Sequence, residues 1–312
     1  MPDRPLVALL TDFGTRDHYV GVMKGVMRQI SPEIDFIDIT HAIPPQDVRA
    51  AAFILMNSYT YFPPHTTFLV VVDPGVGTPR RPVVVQTMDN YNFIIPDNGI
   101  LTYSVKSENT KPRGMSWQDG RLEFELTRDT EIHAAWKIVS SPIQGYISNT
   151  FHGRDVFAPG AARVAATPHN RPLDPTYFKP IDEQSLVKLP PPIQAFNQDA
   201  LSGEVLYIDH FGNIITSIGR LIWREDESLV FDPLFHMALP QLQTPAQSNV
   251  VIGEHQFDQI NRTYGAVSPG EPLALIGSTN MLEIAINHGN AAEFFGVSVG
   301  DTVTLHIPQE EH

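Results

Sequence analysis

Several short stretches of this chain carry residue types at spacings that chemistry could use. In "VVVDPGVGTPRRP", residues 70–82, an apolar run ends on Asp73, and Arg80 and Arg81 follow after two glycines. Asp73 and Arg80 suit a carboxylate held ionised by a bidentate guanidinium partner. Gly75 and Gly77 let the backbone double back across the gap between them. "FHGRD" supplies His152, with Gly153 permitting close approach and Arg154 and Asp155 as local support. "TDFG" puts Asp12 directly after an apolar run, where a carboxylate can accept two hydrogen bonds from a diol. "IPDNG" adds Asp97 and Asn98.

Each stretch also has a purely structural reading. Asp, Asn and Gly populate turns for local reasons. Asp12 would serve as an N-cap for the following helix, and a lone histidine in a turn is more often structural than catalytic. Three polar clusters at corresponding strand ends favour a site, because ligands of open α/β sheets bind at the carboxyl ends of the strands.

Later in the chain, "IDHFGNIITSI" offers Asp209, Phe211 and Asn213, and "IGSTNMLEIAINHGNAA" offers Ser278, Glu283, Asn287 and Asn290. An aromatic ring and several amides could stack on and hydrogen-bond a planar base. An ordinary β-hairpin with an "FGN" turn fits the same spacing. A hard-metal cage of Asp12, His18, His41, Asp73 and His152 is a further alternative. No HExxH or comparable spacing supports it, and Arg80 would oppose a cation beside Asp73. Nothing matches a P-loop or G-x-G-x-x-G, and "TDFG" lacks the lysine strand and catalytic loop of a kinase.

The elements that must position these residues follow from periodicity. "PLVALL" predicts a buried strand, "HYVGVMKGVMRQI" a helix, "IDFIDIT" a strand, "PPQDVRAAAFILMNSYTYF" a helix and "TTFLVVVD" a strand. This β-α-β-α-β alternation predicts an α/β sheet with helices on its faces. "RPVVVQTM" and "YNFIIPD" predict an added hairpin, and "DVFAPGAARVAA" a helix. Residues 105–150 show no assignable pattern. Pro190–Pro192 make a stiff connector. The expected division is an α/β domain over 1–190, a linker over 191–200 and a second domain over 201–312. Short strands such as "GEVLYIDHFGNIITSI", "EPLALIG" and "DTVTLHI" predict a smaller all-β barrel or sandwich there.

Composition removes other classes. A net charge of −14 across 312 residues argues against nucleic acid, whose phosphates select basic surfaces. It gives no support for docking on anionic membranes, and no apolar run is long enough to span a bilayer. The chain has no cysteine, which excludes disulfides, thiolate metal sites and a cysteine nucleophile. The opening residues read as a strand and not a signal peptide, so a cytoplasmic location is expected.

Taken in order, "LLTDFGTRDHYVG", "QDVRAAAFIL", "VVVDPGVGTPRRP", "IPDNGILT", "FHGRDVFAPGAA", "YIDHFGNIITSI" and "LEIAINHGNAA" resemble the S-adenosyl-L-methionine hydrolases, or hydroxide adenosyltransferases. These are related to the enzymes that make 5'-halo-adenosines. The resemblance implies a Rossmann-like α/β domain, a C-terminal β-barrel, and a homotrimer with sites between subunits. It implies hydrolysis of S-adenosylmethionine, here a substrate and not a cofactor, to adenosine and L-methionine. The catalytic positions would be Asp73, Arg80 and His152, and the ribose contact Asp12. Asp209 and Ser278 would meet the methionine end, with Phe211 and Asn213 in the "FGN" turn and Glu283 in the same region. Adenine contacts would fall near Asn287, Asn290 and Ala291. A carboxylate at position 73 and the short "RPVVVQTMDNYNFIIPDNG" favour hydrolysis over 5'-halo-adenosine synthesis. A metal-dependent hydrolase and a nucleoside-binding module without turnover are the remaining alternatives.

Overall fold

The apolar run at the start becomes β1 (Leu6–Thr11), buried almost throughout, as a strand covered on both faces must be. The structure, a computed structural model, describes residues 4–105, 116–118, 121–123, 131–139, 145–197, 199–235 and 242–308. Helix α1 (Tyr19–Ile30) buries Met23 and Met27 and leads to β2 (Asp35–Thr40). Helix α2 (Val48–Met56) is capped by the Asp47 carboxylate, which accepts from the Ala50 amide at 2.8 Å. Next come β3 (Thr67–Val71), β4 (Pro82–Thr87) and β5 (Asn92–Pro96). A short antiparallel pair follows, β6 (Ser116–Gln118) and β7 (Arg121–Glu123), then β8 (Ile132–Ile138), α3 (Ala158–Ala166) and β9 (Phe178–Ile181).

Seven of these strands form one sheet in the order β2-β1-β3-β5-β4-β8-β9. β1 pairs in parallel with both β2 and β3, and β3 with β5, so β1, β3 and β5 end at the same edge. The expected hairpin is present, since β4 runs antiparallel to β5. Strand β8 lies in the stretch that showed no pattern, and it joins the sheet between β4 and β9. Its sequence IHAAWKI buries only two residues and offers little alternation to detect. α3 packs on α1, and its small residues Ala158, Ala161 and Ala162 are buried in one core with Val7, Leu9, Leu69 and Phe157, while Gly160 lies against Ile138 of β8.

The chain divides into two compact units, Met1–Leu189 and Pro190–His312. The second begins with β10 (Gln194–Asn197) and β11 (Ala200–Ile208), paired with each other, so the stretch 191–200 contributes a strand instead of only a linker. Then follow β12 (Ile214–Thr216), β13 (Arg220–Trp223), β14 (Ser228–Asp232), β15 (Leu242–Pro245), β16 (Asn249–Ile252), β17 (His255–Phe257) and β18 (Ile260–Asn261). The unit ends with β19 (Pro272–Ile276), β20 (Leu282–Ile286), α4 (Ala291–Phe295) and β21 (Thr302–His306). Its main sheet is nearly closed and barrel-like, in the order β17-β16-β21-β11-β12-β20-β19-β18 with β10 on β11. β13, β14 and β15 form a separate sheet. The unit is therefore sheet-rich, with the short helix α4 following β20 after the turn 287–290. A core of Leu201, Val205, Ile214, Phe231, Leu282 and Val303 fills it.

Candidate active site

Strand β3 is buried along its whole length, and the chain leaves it through Val72 into Asp73. A tight turn follows, with the Val76 amide bonded to the Asp73 carbonyl at 3.2 Å and the Thr78 amide to the Gly75 carbonyl at 3.1 Å. That turn brings Arg80 back over Asp73. Arg80 Nε donates to Asp73 Oδ1 at 2.8 Å and Nη2 donates to Oδ2, the bidentate pairing expected from sequence. The two side chains are only 9% and 6% exposed. Gly77 holds φ at 78°, and a Cβ there would stand 2.7 Å from the Asn149 carbonyl oxygen, so both conformation and space require glycine. The guanidinium also lies 4.9 Å from the centre of the Phe157 ring.

His152 comes to the same place from far along the chain. It sits just before a π-helical turn, Gly153–Phe157, that leads into α3. Arg80 Nη2 lies 2.9 Å from His152 Nδ1. A guanidinium can only donate, so Nδ1 holds a lone pair and the neutral ring carries its proton on Nε2. Burial lowers the pKa of His152 below the ordinary 6.5, and the Arg80 cation lowers it further against the weaker pull of Asp73 and Asp155. Asp155 anchors the loop, accepting from Arg154 Nε at 2.6 Å, from its Nη2 at 2.9 Å and from the Ser148 amide at 2.8 Å.

Asp12 leaves β1 at the edge where Asp73 leaves β3. It is not the cap of α1, whose N-cap position is His18 without a side-chain bond. Asp12 Oδ2 instead accepts the Gln46 amide at 2.8 Å. Phe13, Tyr19 and Phe151 form an aromatic cluster with ring centres 4.9 to 6.1 Å apart, joining the "TDFG" and "FHGRD" turns. The third strand-end cluster is a frame. Asp97 takes Arg81 Nε at 2.7 Å and Nη2 at 2.5 Å, and also the Val187 amide at 2.8 Å. Asn98 Nδ2 donates to the Val72 carbonyl at 2.9 Å, steadying the peptide before Asp73.

In the second unit the expected residues serve largely to build turns. Asp209 Oδ1 accepts the Phe211 and Asn213 amides, each at 2.9 Å, and Oδ2 accepts Asn213 Nδ2 at 2.9 Å. Phe211 is 72% exposed. Gly212, at φ 84°, lies under the Asn290 side chain, and a Cβ there would collide with the amide. Asn290 caps α4 through the Glu293 amide at 2.9 Å, and the Gly212 carbonyl accepts the Ala292 amide at 2.9 Å, so these two loops are locked together. Ala291 is fully buried. Asn287 is held apart from them, donating to the Val267 carbonyl at 2.8 Å. Ser278 is exposed in the turn after β19. Glu283 is buried and accepts the Tyr264 hydroxyl at 2.5 Å. Its pKa is raised, first by burial and also by the charge of Asp209, against the hydrogen bond from Tyr264.

Sequence models of two domains match this chain: the SAM hydroxide adenosyltransferase N-terminal domain over residues 7–172 and the C-terminal domain over 203–304. The chain belongs to the SAM hydroxide adenosyltransferase family. It is 33% identical to the (R)-S-adenosyl-L-methionine hydrolase of Thermus thermophilus, across 96% of this chain and 98% of that one. A fluorinase of Actinopolyspora mzabensis is 25% identical across 97% of each. Among solved structures, an uncharacterized conserved protein from Thermotoga maritima is 31% identical, with a TM-score of 0.72 over 96% of this chain and 99% of its own.

Arg80 meets both Asp73 and His152, and Asp209, Phe211, Asn213 and Asn290 share one loop pair. Sequence reasoning missed Gln46, Tyr264 and the Phe13–Tyr19–Phe151 cluster. Gln46 meets Asp12 through its backbone, which leaves no signal in side-chain type. The Tyr264 partnership spans the distance from one loop to β20.

Proposed function

We propose that this chain hydrolyses S-adenosyl-L-methionine to adenosine and L-methionine. The observation that carries this is Arg80 gripping both Asp73 oxygens and His152 Nδ1 at once. The sulfonium already makes methionine a good leaving group, so the reaction needs neither a general acid nor a cofactor to activate it. The scarce component at neutral pH is the nucleophile, since bulk water has a pKa of about 15.7. A water held by Asp73 and the Nε2–H of His152 attacks C5'. The C5'–O bond forms as the C5'–S bond breaks, sulfur keeps the electron pair and leaves as a neutral thioether, and one proton of the water stays on the new 5'-hydroxyl while the other is lost. Asp73, anionic with unused lone pairs, accepts the proton lost on attack, because neither nitrogen of His152 is free to do so. Holding the reactants in line supplies roughly 7–11 kcal/mol of the barrier.

In the same reading Asp12 takes the ribose diol. Asp209, Phe211, Asn213, Ser278 and Glu283 surround the methionine end, and Asn287, Asn290 and Ala291 lie toward adenine. The working form is a homotrimer with shared sites. Inactive Asp73→Ala and Asn213→Ala subunits, dissociated and reassembled together, should then regain activity, and confirmed mixing without recovery rules the shared site out.

A second reading, 5'-halo-adenosine synthesis, is favoured only by the distant fluorinase likeness. The Asp73 carboxylate repels halide. The deciding experiment is turnover in ¹⁸O-labelled water with concentrated chloride and a chelator present. Adenosine labelled at its 5'-oxygen is expected. Mainly 5'-chloro-adenosine overturns hydrolysis, and loss of turnover on chelation points to a metal.

A further inference from the structure

We propose that His41 is a positioning residue that holds the 11–14 turn, and through it sets the Asp12 carboxylate for its ligand. Thr11 and His41 are buried at the ends of β1 and β2, with Thr11 Oγ1 2.8 Å from His41 Nδ1. On its other side, His41 Nε2 lies 3.1 Å from Asp38 Oδ1, and Lys24 Nζ donates to Asp38 Oδ2 at 2.6 Å. A carboxylate facing Nε2 favours the tautomer with the proton there, which leaves Nδ1 to accept from the Thr11 hydroxyl. The Thr11 oxygen then accepts the Phe13 amide at 3.2 Å. Donation runs from the Phe13 amide to Thr11 and from Thr11 to His41, while Asp38, which takes Lys24, faces His41 Nε2 as a charge without an aligned hydrogen bond.

The backbone closes the same loop twice more. The Gly14 amide donates to the His41 carbonyl at 2.8 Å, and the Gln46 amide to Asp12 Oδ2. Gln46 pays for this with a positive φ of 66°, a conformation that a non-glycine residue holds only when its surroundings impose it. The 41–46 loop thus grips the 11–14 turn at three points, two of them through His41. A helix cap or a turn needs none of this. A carboxylate that must meet a ligand at a fixed angle does.

The inference rests on the reading of Asp12 as the ribose contact, and its test separates the two. Adenosine affinity is measured by calorimetry for wild type, Thr11→Val, Thr11→Ser, Asp12→Ala and the Thr11→Val/Asp12→Ala double variant. Amide hydrogen exchange is followed at Gly14 and Gln46. Thr11→Val keeps the shape and loses the hydroxyl. It should weaken adenosine binding about tenfold, raise KM more than it lowers kcat, and speed exchange at both amides, while Thr11→Ser restores all three. In the Asp12→Ala background Thr11→Val should cost nothing more. Losses that multiply there, or unchanged exchange at Gln46, overturn the proposal. If Asp12→Ala binds adenosine as wild type does, the ribose reading fails, and exchange at Gln46 alone decides whether the turn is held through His41. Should Thr11→Val not fold, Asp38→Asn, on a half-exposed side chain, carries the exchange test: faster exchange supports the proposal and unchanged exchange ends it.

Discussion

An apolar strand runs into an Asp-bearing glycine turn at Val72–Asp73 and again, in the second unit, at Ile208–Asp209. The first carboxylate spends its bonds on a cation seven residues on, and that cation reaches a histidine 72 residues further. The second spends its bonds on the amides and side chain of its own turn, no further than Asn213. A short polar signature therefore does not tell a carboxylate tied to a distant cation and histidine from a turn-building one. What separates them is where the lone pairs go. Asp73 is fixed by the charge of Arg80 on both its oxygens. Asp209 is fixed by its neighbours and shapes a loop that presents Phe211.

Asp73→Ala should sharpen the contrast most, lowering kcat about a thousandfold with KM within a few-fold, as expected for a contact made in the transition state. Steady-state kinetics retaining more than a tenth of the turnover would break the comparison. Next in size, Arg80→Met leaves Asp73 buried without its cation and should cost about 3–5 kcal/mol of stability, read by denaturant unfolding. A loss no greater than that of Asp209→Asn would put the two turns in one class.

Tyr264→Phe tests the second unit. Glu283 would lose the hydrogen bond that steadies its ionised form, pushing its pKa still higher and costing about 1–3 kcal/mol at neutral pH. Because that pKa is already raised in the fold, ionising Glu283 costs stability as pH rises through the ordinary carboxylate range, and the variant, lacking the Tyr264 bond to the ionised form, should lose melting temperature more steeply there.

The pH dependence of His152 runs the other way. Its pKa is lowered in the fold, so the unfolded chain takes up the proton first. The stability this site contributes is present above about 6.5 and lost as pH falls below it. Melting temperatures taken from pH 8 to pH 5 should show that acid limb, and His152→Gln should flatten it. An unchanged limb would remove His152 from the coupled group. Smallest of all, Phe211→Ala should leave stability within about 0.5 kcal/mol, since the ring is exposed, while raising KM several-fold. Unchanged KM would reduce the "FGN" turn to scaffold.

Much of the first unit is legible in the chain itself. Near-continuous apolar runs mark β1 and β3, and helical spacing marks α1 and α2. The glycines of "PGVG" foretell the return of Arg80 to Asp73, because a close charge pair and a reversible backbone are local properties. β8 was hidden because its exposed polar residues break the alternation, and β13–β15 because each is short and the three make a separate sheet. The clusters at Asp97 and Asp12 show the limit from the other side. Their residue types are alike, yet Asp97 is spent on Arg81 and Asp12 is held by a backbone amide.

By itself the sequence determined the strand ends that carry carboxylates, the pairing of Asp73 with Arg80, and a set of motifs belonging to one family. Only the tertiary structure decided that Arg80 also takes His152, that His41 reaches Thr11, and that Asn290 sits over Gly212. Contacts across 72, 30 and 78 residues depend on how strands and helices pack. Local propensity fixes which groups a turn presents, and long-range packing fixes which of their lone pairs and protons remain free to react.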